Sequence, residues 1–196
     1  MGLFWSRKKK HGLYYLLPGM TRANREKRKR TFRWSLVVGS LAPLGPDYCR
    51  RLRAGLEGRW CDRYPNAGKQ SGAFSSGTYD SDPYILMNYQ DDVIEHVFTL
   101  AHEAGHSMHT WHANGAQRWQ DADYPIFLAE IASTFNENLL IDQILRTEKD
   151  DKLKLYYLDK HLENLRGTLY RQTLFADFEL AMHEQVEQGR ALTKDW

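Results

Sequence analysis

VFTLAHEAGHSMH, residues 97–109, contains a His-Glu-x-x-His run at His102, Glu103 and His106. Two imidazoles four positions apart on a helix stand one turn above each other, so a ring nitrogen of each reaches the same divalent ion from one face. Zinc is the ion that suits such a pair on a helix. Glu103 follows the first His and is rotated about 100° round the helix. That takes it off the ligand pair and leaves it within reach of a water at the centre, as a general base requires.

The flanking residues support a helix. Val93, Ile94, Val97, Phe98 and Ala101 recur at helical spacing, and Asp91 and Asp92 suit a helix N-terminus, so the motif is expected on a half-buried helix. A solvated face would need no apolar backing.

A structural zinc site takes four protein ligands, whereas a catalytic one takes three and leaves a position for water. Two residues compete for the third place. His112 stands six residues beyond His106, a spacing that brings a third His to the metal only where a Gly turns the chain back, and the Gly position is His109 here. Glu130 is the better candidate. It lies in PIFLAEIASTFNENLLIDQILR, residues 125–146, where Phe127, Ile131, Phe135 and Leu139 predict a second helix packed on the first, with Pro125 near its start. Glu130, Ser133, Thr134 and Glu137 form a polar stripe on that helix, which is costly unless they have partners. A metal ion would partner Glu130, and Glu137, two turns on, is placed to orient a ligand imidazole from behind.

Three stretches now carry a resemblance: HEAGHSMH (residues 102–109), AEIASTFNE (129–137) and GAFSSGTYDSDPYILMNY (72–89). Together they resemble the oligoendopeptidase F and thimet oligopeptidase family of zinc metallopeptidases. ENLRGTLYRQTLFADFE (163–179) looks like the oligoendopeptidase F branch. The resemblance covers residues 39–196. It implies that His102, His106 and Glu130 bind one Zn2+ per chain, that Glu103 activates water, and that the substrates are short peptides. It also implies a longer protein, with an N-terminal helical half that closes over a channel and C-terminal helices carrying a further His and Tyr.

Elsewhere the chain is expected to be mainly helical. Strand signals are confined to residues 73–89, where residues 84–87 read as a short strand before the zinc helix, able to offer its edge to an extended peptide. From residue 151 to 188 apolar residues including Leu155, Leu162, Leu169, Phe175 and Phe178 follow helical spacing and are expected in a core, with Gly167 as a break and Gly189 as a stop. His161 and His183 have no partner at metal-site spacing and are expected to be helix-surface or packing residues rather than ligands.

The first 38 residues differ in kind. They hold 11 of the 27 Lys and Arg and one of the 25 acidic residues (Glu26), leaving 16 basic and 24 acidic residues in the remainder. Such an arm, without a stacking or groove-binding motif, is expected to be solvated rather than a specific nucleic-acid or lipid binder. It is expected to be disordered, or a leader unrelated to the family. Met1-Gly2 with Ser6 fits a short, permissive myristoylation pattern. No apolar run approaches the ~20 residues of a spanning helix. Cys49 and Cys61 sit in no ligand pattern, which suits free thiols and a cytoplasmic protein.

The expectation is thus a basic arm (1–38) before a partial catalytic domain (39–196), mainly α, with a small hairpin or sheet beside the zinc helix. Its function is zinc-dependent hydrolysis of short peptides, or, as the alternative, that of a zinc-binding fragment or pseudo-enzyme with impaired catalysis. The oligomeric state is left open.

Overall fold

The computed structural model describes residues 33–194. Of the basic arm only residues 33–38 fall within that range, so the nucleic-acid, lipid and myristoylation readings lie outside the described residues. The chain divides into two compact units, one reaching to Asp142 and one from Gln143 onwards.

In the first unit, helix α1 (Trp34–Ser40) buries Val37 and Val38, then a short 3-10 turn (Ala42–Leu44) and Gly45, at φ 98°, reverse the chain. Only glycine adopts that φ at little cost. Pro46 opens α2 (Pro46–Glu57), where its fixed φ and missing N–H are tolerated, and Leu52 and Leu56 turn inward. A Cβ on Gly55 would lie 2.2 Å from the Trp60 ring, so this glycine lets the indole lie flat on the helix.

Three short strands follow: β1 (Cys61–Asp62), β2 (Phe74–Ser76) and β3 (Tyr84–Leu86), in the order β1-β3-β2. β3 pairs parallel to β1 and antiparallel to β2. Burial alternates along this stretch, with Pro83, Ile85, Met87 and Tyr89 inside, as a sheet with one covered face requires. Two expectations are corrected. β1 lies outside residues 73–89, because a two-residue strand is too short to carry a period. And β3 is the central strand, bonded on both sides, so it has no edge to offer a peptide.

Helix α3 (Glu95–Ala116) carries the His-Glu-x-x-His run and buries Val97, Leu100, Ala101, Ala104 and Met108. It starts a turn later than Asp91 and Asp92 suggested, and it continues unbroken through His109. After a 3-10 turn (Trp119–Asp121) comes α4 (Ile126–Thr147). Its inward face is not the predicted one. Phe127, Ile131 and Phe135 are exposed by half or more, while Ala129, Ser133, Asn136 and Leu140 are buried. The reason is the tight approach of α3: a Cβ on Gly105 would stand 2.6 Å from the Ser133 Cα, so only small or hydrogen-bonded residues fit at the crossing.

Arg51 of α2 ties these elements together. Its guanidinium lies 4.9 Å from the ring centroids of both Trp60 and Trp111 and pairs with Asp82.

In the second unit, α5 (Asp151–Arg166) is N-capped by Asp150, whose carboxylate accepts the Lys152 amide at 2.9 Å. Gly167 does not break the helix. It opens a π-helical turn (Gly167–Arg171) that leads directly into α6 (Gln172–Glu187), which ends before Gly189 at φ 74°. The apolar residues expected in a core here are largely exposed: Leu155, Leu162 and Leu169 are each at least 60% accessible, and Phe175 and Phe178 more than half. Periodicity identifies a face that needs a partner, not that the partner lies within these residues. Among the described residues no helix is long and apolar enough to cross a membrane.

Candidate metal centre

His102 and His106 project from one face of α3, and Glu130 reaches them from the first turns of α4. The two Nε2 atoms are 3.0 Å apart, and one Glu130 oxygen (Oε2) lies 3.4 Å from the first and 3.7 Å from the second. Four ligands about 2.0–2.1 Å from a tetrahedral ion would sit about 3.3–3.4 Å from each other, so this donor triangle has the size that zinc needs. Among the described residues this trio is the set of His, Cys, Asp and Glu side chains that converges in this way. Three protein donors leave one tetrahedral position free.

Each donor is held from behind. His102 Nδ1 is 2.5 Å from Glu137 Oε1, which fixes the ring with Nε2 forward. The backbone of Ala129 bears on the His106 ring and favours its protonated form. Ser133 Oγ donates to Glu130 Oε2 at 2.8 Å, fixing that carboxylate although its side chain is half exposed. Glu137 thus stands where the spacing placed it, and Ser133 of the polar stripe has an explicit task. The role of the Ala129 backbone was invisible in sequence, because every residue has one.

Burial governs the electrostatics. It disfavours the charged His102 ring, but the bond and charge of Glu137, with Glu103 and Glu130, outweigh it and hold the His102 pKa above the usual imidazole value. For His106, burial and then the charge of His102 prevail and lower its pKa, which favours the neutral ring that a metal takes. Glu103 is 6% exposed. Burial raises its pKa, against the pull of His102 and the hydrogen bond from the Ser75 backbone.

The competing ligand is elsewhere. His112 is exposed and stacks on Tyr48, with ring centroids 6.0 Å apart, because α3 continues past the point where a turn would have redirected it. His109 stacks on Tyr124 at 3.7 Å. His161 is half-buried and His183 exposed, and neither belongs to the cluster.

The model of peptidase family M3 matches residues 17–196. The chain belongs to this family. The match begins within the basic arm, ahead of the region in which the motifs lie. Oligopeptidase PepF of Bacillus subtilis is 48% identical over 159 residues, 81% of this chain and 24% of that protein. An oligoendopeptidase F homolog of Lactococcus lactis is 45% identical over 156 residues, 80% of this chain and 26% of the other. A crystal structure from Chlamydophila abortus, described as a peptidase, superposes with a TM-score of 0.73 at 46% identity, over 86% of this chain and 29% of that one. The chain therefore spans about a quarter of the length of these relatives. The fold of this chain, mainly helical with a small three-stranded sheet, fits part of a peptidase M3 domain.

Proposed function

We propose that this chain carries the zinc centre and the general base of a metalloendopeptidase acting on short peptides. The observation that carries the reading is the convergence of His102 Nε2, His106 Nε2 and Glu130 Oε2 into one triangle beside the buried Glu103 carboxylate. His102, His106 and Glu130 would hold one Zn2+, which, when bound, supplies Lewis-acid polarisation of water and of the peptide carbonyl. Glu103 accepts the proton of the attacking water on a carboxylate oxygen as the water oxygen bonds to the carbonyl carbon. It then passes that proton to the amide nitrogen as the C–N bond breaks, so the amine leaves neutral. Glu137 keeps the His102 ring in the tautomer that presents Nε2, and Ser133 keeps the Glu130 oxygen turned inward.

The relatives named oligopeptidase and oligoendopeptidase support short peptides as the substrate class. The free thiols of Cys49 and Cys61 fit a cytoplasmic location. A second reading, a zinc-holding fragment with impaired turnover, is favoured by the exposed apolar faces of α4, α5 and α6.

Zinc quantification and cleavage of a quenched short peptide, measured on the same samples, test both. One zinc per wild-type chain, lost in Glu130→Ala, is expected. Glu103→Gln should keep zinc and lose cleavage. A chain that binds zinc without cleaving supports the second reading, and a Glu130→Ala chain that retains stoichiometric zinc overturns both.

A further inference from the structure

Glu103 is useful as a base only if its carboxylate is held at one place, and the means of holding it lies in β2. Ser75 pairs with Ile85 across β2 and β3. The Ile85 amide, however, donates to the Trp60 carbonyl on the other side of β3. In an antiparallel pair the two residues exchange both backbone bonds or neither. The Ser75 amide therefore points off the edge of the sheet, away from β3, and there the Ser75 backbone bears on the Glu103 carboxylate and favours its charged form.

A second contact comes from the same residue. Ser75 Oγ lies 2.7 Å from Ser107 Oγ. Ser107 is one helical turn beyond Glu103, on the same face of α3, and is fully buried. A buried hydroxyl in mid-helix is costly without a partner outside the helix, and Ser75 supplies one. One strand residue thus meets α3 at two positions one turn apart, and the hydroxyl bond to Ser107 limits how far β2 can slide or tilt along α3. Loss of the hydroxyl pair would free the strand and with it the amide.

We propose that Ser75 and Ser107 are positioning residues for Glu103, their hydroxyl bridge locking β2 on the zinc helix so that the Ser75 amide holds the carboxylate. The role assigned to the carboxylate rests on the peptidase reading. The lock itself does not, and it is tested separately.

Amide hydrogen exchange at Ser75 is followed by NMR in the wild-type chain, Ser107→Ala and Glu103→Ala. Exchange roughly tenfold faster in both variants is expected, since a charge-assisted bond and its anchor are lost. Unchanged exchange in Ser107→Ala overturns the proposal, whether or not the chain cleaves peptides. On the zinc-loaded chain, Ser75→Ala and Ser107→Ala should each lower kcat by about tenfold with KM and zinc content kept. The double variant should fall no further than the singles, and Ser75→Thr, which keeps the hydroxyl, should restore most of the loss. A merely structural role would instead lower thermal stability and leave kcat per bound zinc unmoved, which overturns the positioning claim. A wild-type chain that binds zinc without turnover counts against the peptidase reading, and the exchange rates then decide the lock.

Discussion

Gly105 and Ser133 touch where α3 crosses α4: a Cβ added to the glycine would fall 2.6 Å from the Ser133 Cα and 2.7 Å from the Ala132 carbonyl oxygen. The obstacle is backbone, which cannot swing aside as a side chain does. Gly105→Ala is therefore expected to push the helices apart, costing about 1–3 kcal/mol in denaturant unfolding. Because Ser133 also holds Glu130, the same substitution should weaken zinc binding although it alters no ligand. Zinc retention equal to wild type would show that Glu130 does not depend on this crossing.

The 2.5 Å contact from His102 Nδ1 to Glu137 Oε1 makes a second prediction. Glu137→Gln keeps shape and removes the charge that favours a basic, oriented imidazole. Zinc affinity is expected to fall about 10–100-fold with all three ligands intact. Chelator competition measures it.

Metal binding to the native state alone stabilises it, by about 2.7 kcal/mol at a free concentration 100 times Kd. Chelation should therefore lower the Tm of the wild-type chain. Glu130→Ala and His102→Ala should melt alike with and without chelator, and a chelator effect of wild-type size in both would place the ion elsewhere.

Arg51 lies between Trp60 and Trp111, 4.9 Å from each ring centroid, and pairs with Asp82. Arg51→Ala removes the stacking of the stem as well as the charge, and about 1–2 kcal/mol of stability should be lost. Arg51→Lys should recover only part of it, since an ammonium lacks the flat guanidinium face. Thermal or urea unfolding of the two variants gives the comparison.

The Cys61 thiol is pushed up to about 12, chiefly by burial, against the opposing charges of Arg63 and Lys69. A raised thiol pKa means less thiolate at any pH below it. Near pH 8 the native chain should hold about a thousandfold less thiolate at Cys61 than an unfolded chain. Iodoacetamide labelling of Cys61, followed by mass spectrometry, should accordingly be slow in buffer and fast in denaturant. The native rate should still be rising at about pH 9 rather than levelling off there.

The chemistry of the site was more legible than the packing around it. His102, Glu103 and His106 are neighbours on one helix, where spacing alone decides which atoms share a face. Glu130 and Glu137 were legible at one remove, since a polar stripe on an apolar helix needs partners. The packing face of α4 was not. Its largest apolar residues point outward, because the close approach of Gly105 admits only small or hydrogen-bonded side chains at the crossing. The apolar periodicity of α5 and α6 was real, but it could not say whether the partner for those faces lay in these residues.

The linear chain by itself placed His102 and His106 on one face of a helix and made zinc the ion to expect there, because these depend on backbone period and donor chemistry. The tertiary structure brought Glu130, already favoured over His112 by the polar stripe, up to the pair, and it alone decided that Ser133 and the Ala129 backbone lie behind the site and that Ser75 meets Glu103. Those facts depend on how close two helices come and which way a strand amide points. Both are set by contacts between residues far apart in sequence, and no local pattern encodes them.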